Sequence, residues 1–120
     1  MEMIQKENYV RNATVVKVID GDTVDLDVDL GFSIRQTDRF RLTGIDAPEK
    51  NTEAGMVTKQ WLENTLPPGK EVVIATSKDK KEKYGRYLAV IYTKEFETSV
   101  NGVLIQNGLA KAYFGGKRTQ

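Results

Sequence analysis

The sequence predicts a mainly β (α+β) domain in which a small closed sheet carries about two helices. Five segments rich in β-branched and aromatic residues are separated by turns that contain glycine or proline. Two further stretches have the capping residues and apolar spacing of helices. With 120 residues, 39% of them hydrophobic, the chain can build one domain around a single core.

The first two strands are predicted on either side of the turn dipeptide Asp20-Gly21. Residues 13–19 are β-branched, and from residue 24 onward apolar and acidic residues alternate. Because successive side chains of a strand point to opposite faces, Asp22 shares the apolar face that begins with Val24. We therefore expect Asp22 at the rim of that face. The acids on the opposite, solvated face are Asp25, Asp27 and Asp29.

The remaining elements complete a five-stranded barrel. Gly44 indicates a bulge or a close backbone approach, Thr52 is a candidate N-cap, and Pro67-Pro68 ends the first helix. Its apolar face is predicted to hold Met56, Trp61, Leu62 and Leu66. The predicted order is strand 38–45, helix 52–66, strands 71–76 and 87–92, helix 99–107 and a short strand 109–114. Five main strands and two helices favour an OB-fold barrel over residues 13–114, between an N-terminal extension (1–12) and a C-terminal tail (115–120).

Composition excludes several kinds of chemistry. The chain has neither cysteine nor histidine, which excludes disulfides, zinc–thiolate sites, thiol catalysis and a histidine base. The net charge of +1 does not indicate a nucleic-acid binder, but acids crowd into residues 20–29 and residues 78–86 carry five basic groups against two acidic ones. Residues 1–15 contain no apolar run like that of a signal peptide. No segment of the sequence approaches the length of about 18 apolar residues that a membrane-spanning helix needs. We expect a cytoplasmic protein; secretion by a signal outside this sequence stays open.

Carboxylates at strand ends and in loops can converge on a hard cation. Asp22, Asp46 and Glu49, together with Arg41 and Arg86, are the groups that metal-assisted phosphodiester cleavage needs. Taken singly, each has an ordinary interpretation, such as a hairpin turn, a helix cap or a surface arginine. The run that begins at residue 25 is not a calcium loop, since its sixth and twelfth positions are leucine and glutamine.

Four motifs in order resemble the staphylococcal (micrococcal) nuclease family, also called thermonuclease-like. They are IDGDTV (19–24), FRLTGIDAPE (40–49), DKKEKYGRYLAVIY (79–92) and NGLAKAY (107–113). The resemblance runs from about residue 13 to residue 114. Relative to the family, the loop 31–38 is expected to be longer, the segment between Glu49 and the first helix is shorter, and the last helix is expected to be missing.

This resemblance implies a calcium-dependent hydrolase of DNA and RNA, with water attack at phosphorus, a 5′-oxygen leaving group and 3′-phosphate products. The implied calcium ligands are Asp22, Asp46 and the backbone carbonyl of Ala47, where the family usually has threonine. Glu49 corresponds to the glutamate that orients or deprotonates water. Asp20 corresponds to a second acid behind the metal.

The resemblance also assigns the groups that hold the substrate. Arg41 and Arg86 correspond to the two arginines on the reacting phosphate, which suits their bidentate, permanently charged side chains. Lys83, Tyr84 and Tyr113 correspond to residues that contact a terminal phosphate or a base.

Two other classes of function stay open. One is a catalytically inactive OB-type module that binds nucleic acid or a protein, with Tyr84, Tyr87 and Tyr113 as candidate stacking residues. Such modules usually lose the carboxylates or arginines, and this chain keeps them. The other, a calcium sensor or structural protein, leaves Arg41 and Arg86 unexplained.

A monomer is expected, and a dimer stays open. The preference for DNA or RNA and the choice between endonuclease and exonuclease modes also stay open.

Overall fold

The computed structural model describes residues 8–81 and 85–113, with side chains described at 9–76 and 85–113. A closed barrel has the strand order β1-β2-β3-β6-β5, and β4 pairs with β7 in a separate two-stranded sheet. The predicted barrel with two helices is confirmed. The elements are β1 (Asn8–Asp20), β2 (Thr23–Gly31), β3 (Ile34–Leu42), β4 (Ile45–Asp46), α1 (Glu53–Thr65), β5 (Glu71–Lys81), β6 (Tyr87–Tyr92), α2 (Val100–Gln106) and β7 (Lys111–Ala112).

Strand β1 is longer than the predicted segment 13–19. It begins at Asn8 and pairs with β5 from Asn8 to Thr14, opposite Ser77 to Glu71. Residues 8–12, assigned to the extension from the sequence, therefore belong to a barrel strand. The tail, residues 115–120, lies outside the described residues, and the functional limits of the domain at 13 and 114 stay predictions.

The alternation predicted for β2 is confirmed. Val24, Leu26 and Val28 are buried in the barrel, and the acids between them lie on the outer face. Two of these acids are ion-paired across the hairpin: Asp25 with Arg39 at 2.8 Å and Asp27 with Arg35 at 3.1 Å. Such exposed pairs contribute little to stability.

The β2–β3 connection differs from the predicted longer loop at 31–38. Phe32 and Ser33 form a two-residue turn with φ of 56° and 63°, and β3 already begins at Ile34. Positive φ at both turn residues fits the twist of a hairpin, although asparagine and glycine are the usual residues there. The Phe32 side chain is 97% exposed. The extra residues therefore lengthen the hairpin rather than form a loop.

The two helices pack against the barrel, α1 against β1 and α2 against β6. Thr52 caps α1 as predicted, with its Oγ1 accepting from the Gly55 amide at 3.0 Å. The buried face of α1 holds Gly55, Thr58 and Leu62. The prediction for Met56 is wrong, since it is 57% exposed.

Helix α2 is tied to the barrel by one buried side chain. Its Asn101 accepts from the Ile91 amide at 3.0 Å and donates to the carbonyls of Thr43 and Ala89 at 2.8 and 3.2 Å. These bonds serve backbone groups where the pairing of β3 with β6 ends. Within the part of the chain that the structure describes, no helix is long and apolar enough to span a bilayer.

Candidate active site

Strand register brings the predicted site residues to one end of the barrel. Thr23 at the start of β2 is opposite Arg41 near the end of β3, and Asp22 directly precedes Thr23. Strands β3 and β6 run parallel, with Phe40 beside Tyr87, so Arg86, which directly precedes β6, lies at the same end of the barrel. Asp46 reaches it through β4, which follows β3 after a turn at Gly44 with φ of 80°.

The Arg41 guanidinium is the centre of the site. Its Nη2 lies 3.7 Å from Asp22 Oδ2 and 3.4 Å from Asp46 Oδ1, so both carboxylates approach one nitrogen. Its Nη1 donates to the carbonyls of Leu42 and Ile45 at 3.1 and 2.8 Å. These bonds hold the sharp turn between β3 and β4 and keep the arginine in place at 13% side-chain exposure.

The ring of Tyr113 packs against the Arg41 guanidinium. The arginine Cζ lies 5.3 Å from the centroid of the Tyr113 ring, within the range of a cation–π contact. The Tyr113 amide donates to the Gly44 carbonyl at 2.8 Å, which ties the residues after β7 to the turn before β4. The structure thus places Tyr113 at the predicted site, against the arginine.

Asp22 is a partly buried carboxylate with several polar neighbours. Its Oδ2 accepts from the Ala47 amide at 3.1 Å, and its own amide donates to Asp20 Oδ1 at 3.2 Å. Burial raises the pKa of the Asp22 carboxyl, and Asp20 acts in the same direction, while the Ala47 amide and Arg41 act against them. Burial therefore disfavours the charged form of this carboxylate, and an additional cation nearby would offset that cost.

The oxygen atoms of the site suit a cation that needs few carboxylate ligands and completes its coordination with carbonyls and waters. Among the described residues, no group of three or more acidic side chains could hold a metal ion. The site offers two partly buried carboxylates, Asp22 and Asp46, that converge on one nitrogen. Calcium takes oxygen ligands in irregular geometry and accepts carbonyls and waters among them, so these residues fit it.

The remaining predicted acid, Glu49, lies on the turn that leads into α1. Its side chain is exposed, and its carbonyl accepts from the amide and Oγ1 of Thr52 at 3.1 and 2.7 Å. The turn 47–50 is thus anchored at one end to Asp22 through Ala47 and at the other to the N-cap of α1. The roles of Glu49 and of the Ala47 carbonyl stay predictions.

Two glycines let α1 pack closely against this turn. A Cβ on Gly21 would lie 2.8 Å from Ala47 Cβ and 2.9 Å from Thr58 Cγ2. A Cβ on Gly55 would lie 1.9 Å from the Glu49 carbonyl oxygen. Gly55 is unfavourable for a helix by propensity, and this close approach explains why it stands there.

Thr23 lies at the site although no sequence pattern singled it out. It is 2% exposed, although its position in the strand alternation matches that of the solvated acids. Its Oγ1 lies 3.3 Å from Asp22 Oδ1 and 3.1 Å from Arg86 Nη1. A buried residue at a position where the alternation predicts an exposed one is a signal that only the structure could reveal.

The structure therefore brings together Asp22, Arg41 and Asp46 directly, with Arg86 joined to them through Thr23. Asp20 lies behind Asp22, as the resemblance implies. Two predicted substrate contacts, Lys83 and Tyr84, lie outside the described residues.

Comparisons with known proteins show which family the chain resembles. A family model described as "Staphylococcal nuclease homologue" matches residues 39–120. The chain is 36% identical over 113 residues to "Micrococcal nuclease" of Shigella flexneri, a match that covers 88% of this chain and 60% of that protein. It is 34% identical over 121 residues to "Thermonuclease" of Staphylococcus intermedius, covering 92% and 62%. It is 35% identical over 106 residues to "Protein ParB" of Escherichia coli, covering 82% and 55%.

The chain belongs to the staphylococcal nuclease homologue family, and the resemblance stated from the sequence is confirmed. It spans between 55% and 62% of the length of these relatives.

Proposed function

We propose that this protein is a calcium-dependent nuclease that hydrolyses phosphodiester bonds of DNA and RNA. The observation that carries the proposal is the approach of the Asp22 and Asp46 carboxylates to one nitrogen of Arg41, with Arg86 linked to the same cluster. In a shared site, the acidic groups can bind a cation while the neighbouring basic groups bind a phosphate. The names of two relatives, "Micrococcal nuclease" and "Thermonuclease", support nuclease activity.

Each residue has a role that its environment suits. Asp22, Asp46 and the Ala47 carbonyl would hold calcium, which would neutralise charge on the phosphate and polarise it for attack. Arg41 and Arg86 bind the non-bridging phosphate oxygens and stabilise the negative charge that builds in the transition state. The turn 47–50 presents the exposed Glu49 carboxylate, which orients or deprotonates the attacking water.

The positions of the two arginines support a preorganised site. Arg41 is held by two carbonyls and the Tyr113 ring, and Arg86 by the Thr23 hydroxyl, before any substrate binds. Groups fixed in this way lose little entropy when they meet the phosphate. Attack by water forms a new bond to phosphorus and breaks the bond to the 5′-oxygen, which takes up a proton and leaves as a 5′-hydroxyl, so that a 3′-phosphate product remains.

The test uses labelled single-stranded DNA and RNA, incubated with calcium and then with excess chelator. We expect cleavage only with calcium, and a loss of about 100-fold or more in kcat for Arg86→Ala and for Glu49→Gln. Arg39→Ala is the matched control, because Arg39 lies two residues before Arg41 on the same strand but is paired with Asp25 rather than with the carboxylates of the site.

The outcomes separate the alternatives. Near-wild-type rates in both Arg86→Ala and Glu49→Gln would contradict the assigned site. Binding of the labelled strands without cleavage, with or without calcium, would instead indicate a catalytically inactive binding module. Mapping the ends of the products determines which oxygen leaves.

A further inference from the structure

Thr23 lies between the carboxylates Asp22 and Asp46 (the acidic half of the site) and the guanidinium of Arg86 (the basic half). It is 2% exposed, and its register partners are Arg41 on β3 and Asp20 on β1. Its hydroxyl contacts Asp22 on one side and Arg86 on the other. The two contacted residues are 64 positions apart in sequence, so the hydroxyl joins parts of the site that the chain brings together only by folding.

The direction of the two hydrogen bonds follows from the groups involved. An ionised carboxylate can only accept, and a guanidinium can only donate. The single hydroxyl proton must therefore point to Asp22 Oδ1, and a lone pair must accept from Arg86 Nη1. A chain of this kind is polarised, because each charged end strengthens the bond at the other end.

We propose that Thr23 is a positioning residue that couples the cation-binding carboxylate of Asp22 to the phosphate-binding guanidinium of Arg86. The inference rests on the proposed function and deepens it. Threonine is restricted at χ1 by its branched Cβ, so at this buried position the hydroxyl has few alternative orientations. Fixing both neighbours from one atom sets the distance between the bound cation and the arginine.

The experiment compares Thr23→Val, which keeps the shape and removes the hydroxyl, with Thr23→Ser, which keeps the hydroxyl. We expect Thr23→Val to lower kcat about tenfold and to weaken calcium binding, measured by titration calorimetry without substrate, by about tenfold, since supporting partners of metal ligands have effects of this size. Thr23→Ser should recover most of both. Unfolding midpoints are measured first, and all assays are run below the lowest of them.

Thr76→Val is the matched control. The Thr76 hydroxyl donates to the Leu88 carbonyl at 2.7 Å in the barrel wall and contacts neither half of the site. Its loss should lower stability and leave kcat and calcium affinity unchanged. A difference between the two threonines in kcat, at similar stability, is what a merely structural role of Thr23 would not produce.

A double-mutant cycle tests the coupling itself. If the hydroxyl acts on kcat through Arg86, Thr23→Val should have no further effect on kcat in an Arg86→Ala background. Additive losses would overturn the proposal, as would a Thr23→Ser variant as impaired as Thr23→Val. Wild-type kcat and calcium affinity in Thr23→Val would overturn this inference alone, whereas a wild-type protein without calcium-dependent cleavage would refute the proposed function and the inference with it.

Discussion

Replacing Gly55 by alanine should weaken the fold and the proposed catalytic site together, although alanine is the better helix former. Gly55 is the third residue of α1, and a Cβ at this position would lie 1.9 Å from the Glu49 carbonyl oxygen. Side-chain carbons do not approach within 3.0 Å of other atoms, so the separation must grow by about 1.1 Å. Both sides of this contact are backbone, so either the first turn of α1 or the turn that carries Glu49 must move.

Two opposing terms set the expected stability. Alanine in place of glycine favours a helix by about 1 kcal/mol, whereas forcing an extra methyl group into a packed contact costs about 1–3 kcal/mol. Because the contacted carbonyl is also held by the amide and hydroxyl of Thr52, the turn cannot yield freely. We expect a net loss of about 1 kcal/mol in the free energy of unfolding, and a decrease in kcat of up to about 100-fold from a displacement of about 1 Å at Glu49.

The matched control is Gly102→Ala. Gly102 is also the third residue of its helix, and its amide donates to the Ser99 cap as the Gly55 amide does to Thr52. A Cβ there would meet the side-chain hydroxyl of Thr98 at 2.8 Å, which can rotate away. Urea unfolding and kcat are measured for both variants. If Gly55→Ala is as stable and as active as wild type, or if Gly102→Ala shows the same losses, the close approach of α1 does not position Glu49.

Two further predictions concern metal binding and the hairpin. If the proposed site binds calcium in the native state alone, calcium at about 100 times its Kd should raise the free energy of unfolding by about 2.7 kcal/mol. A calcium-induced thermal shift that persists in Asp46→Asn would contradict Asp46 as a ligand. Replacing Phe32-Ser33 by Asn-Gly should stabilise the protein by about 1 kcal/mol and leave kcat unchanged, because both turn residues have positive φ and lie at the far end of β2 from Thr23. A lower thermal midpoint in this variant would contradict that reasoning.

The sequence was informative wherever a short-range rule determines the structure. Strand alternation placed Val24 and Leu26 in the core and the following acids outside, because the period of two is a property of each strand by itself. The cap at Thr52 and the helix stop at Pro67 likewise depend on neighbouring residues only. The order of the motifs was sufficient to identify the family and its barrel.

Other features could not be read locally because they depend on which segments meet. The hairpin turn at Phe32 has residues that are unusual for it, and the comparison with the family's motifs predicted a longer loop at 31–38 where the structure continues the strands. Met56 has the spacing of a core residue, yet the barrel packs against the side of α1 that carries Gly55 and Thr58. The exposure of Met56 arises because the packing of α1 on the barrel decides which helix face is buried.

By itself, the sequence determined the residue types of the site: carboxylates and arginines, with no histidine or cysteine to compete with them. Tertiary structure alone decided their geometry. The approach of Asp22 and Asp46 to one nitrogen of Arg41, and the position of Thr23 between Asp22 and Arg86, follow from the register of β2 with β3 and the parallel pairing of β3 with β6. Distances between residues far apart in sequence depend on such pairings, and no local pattern encodes them.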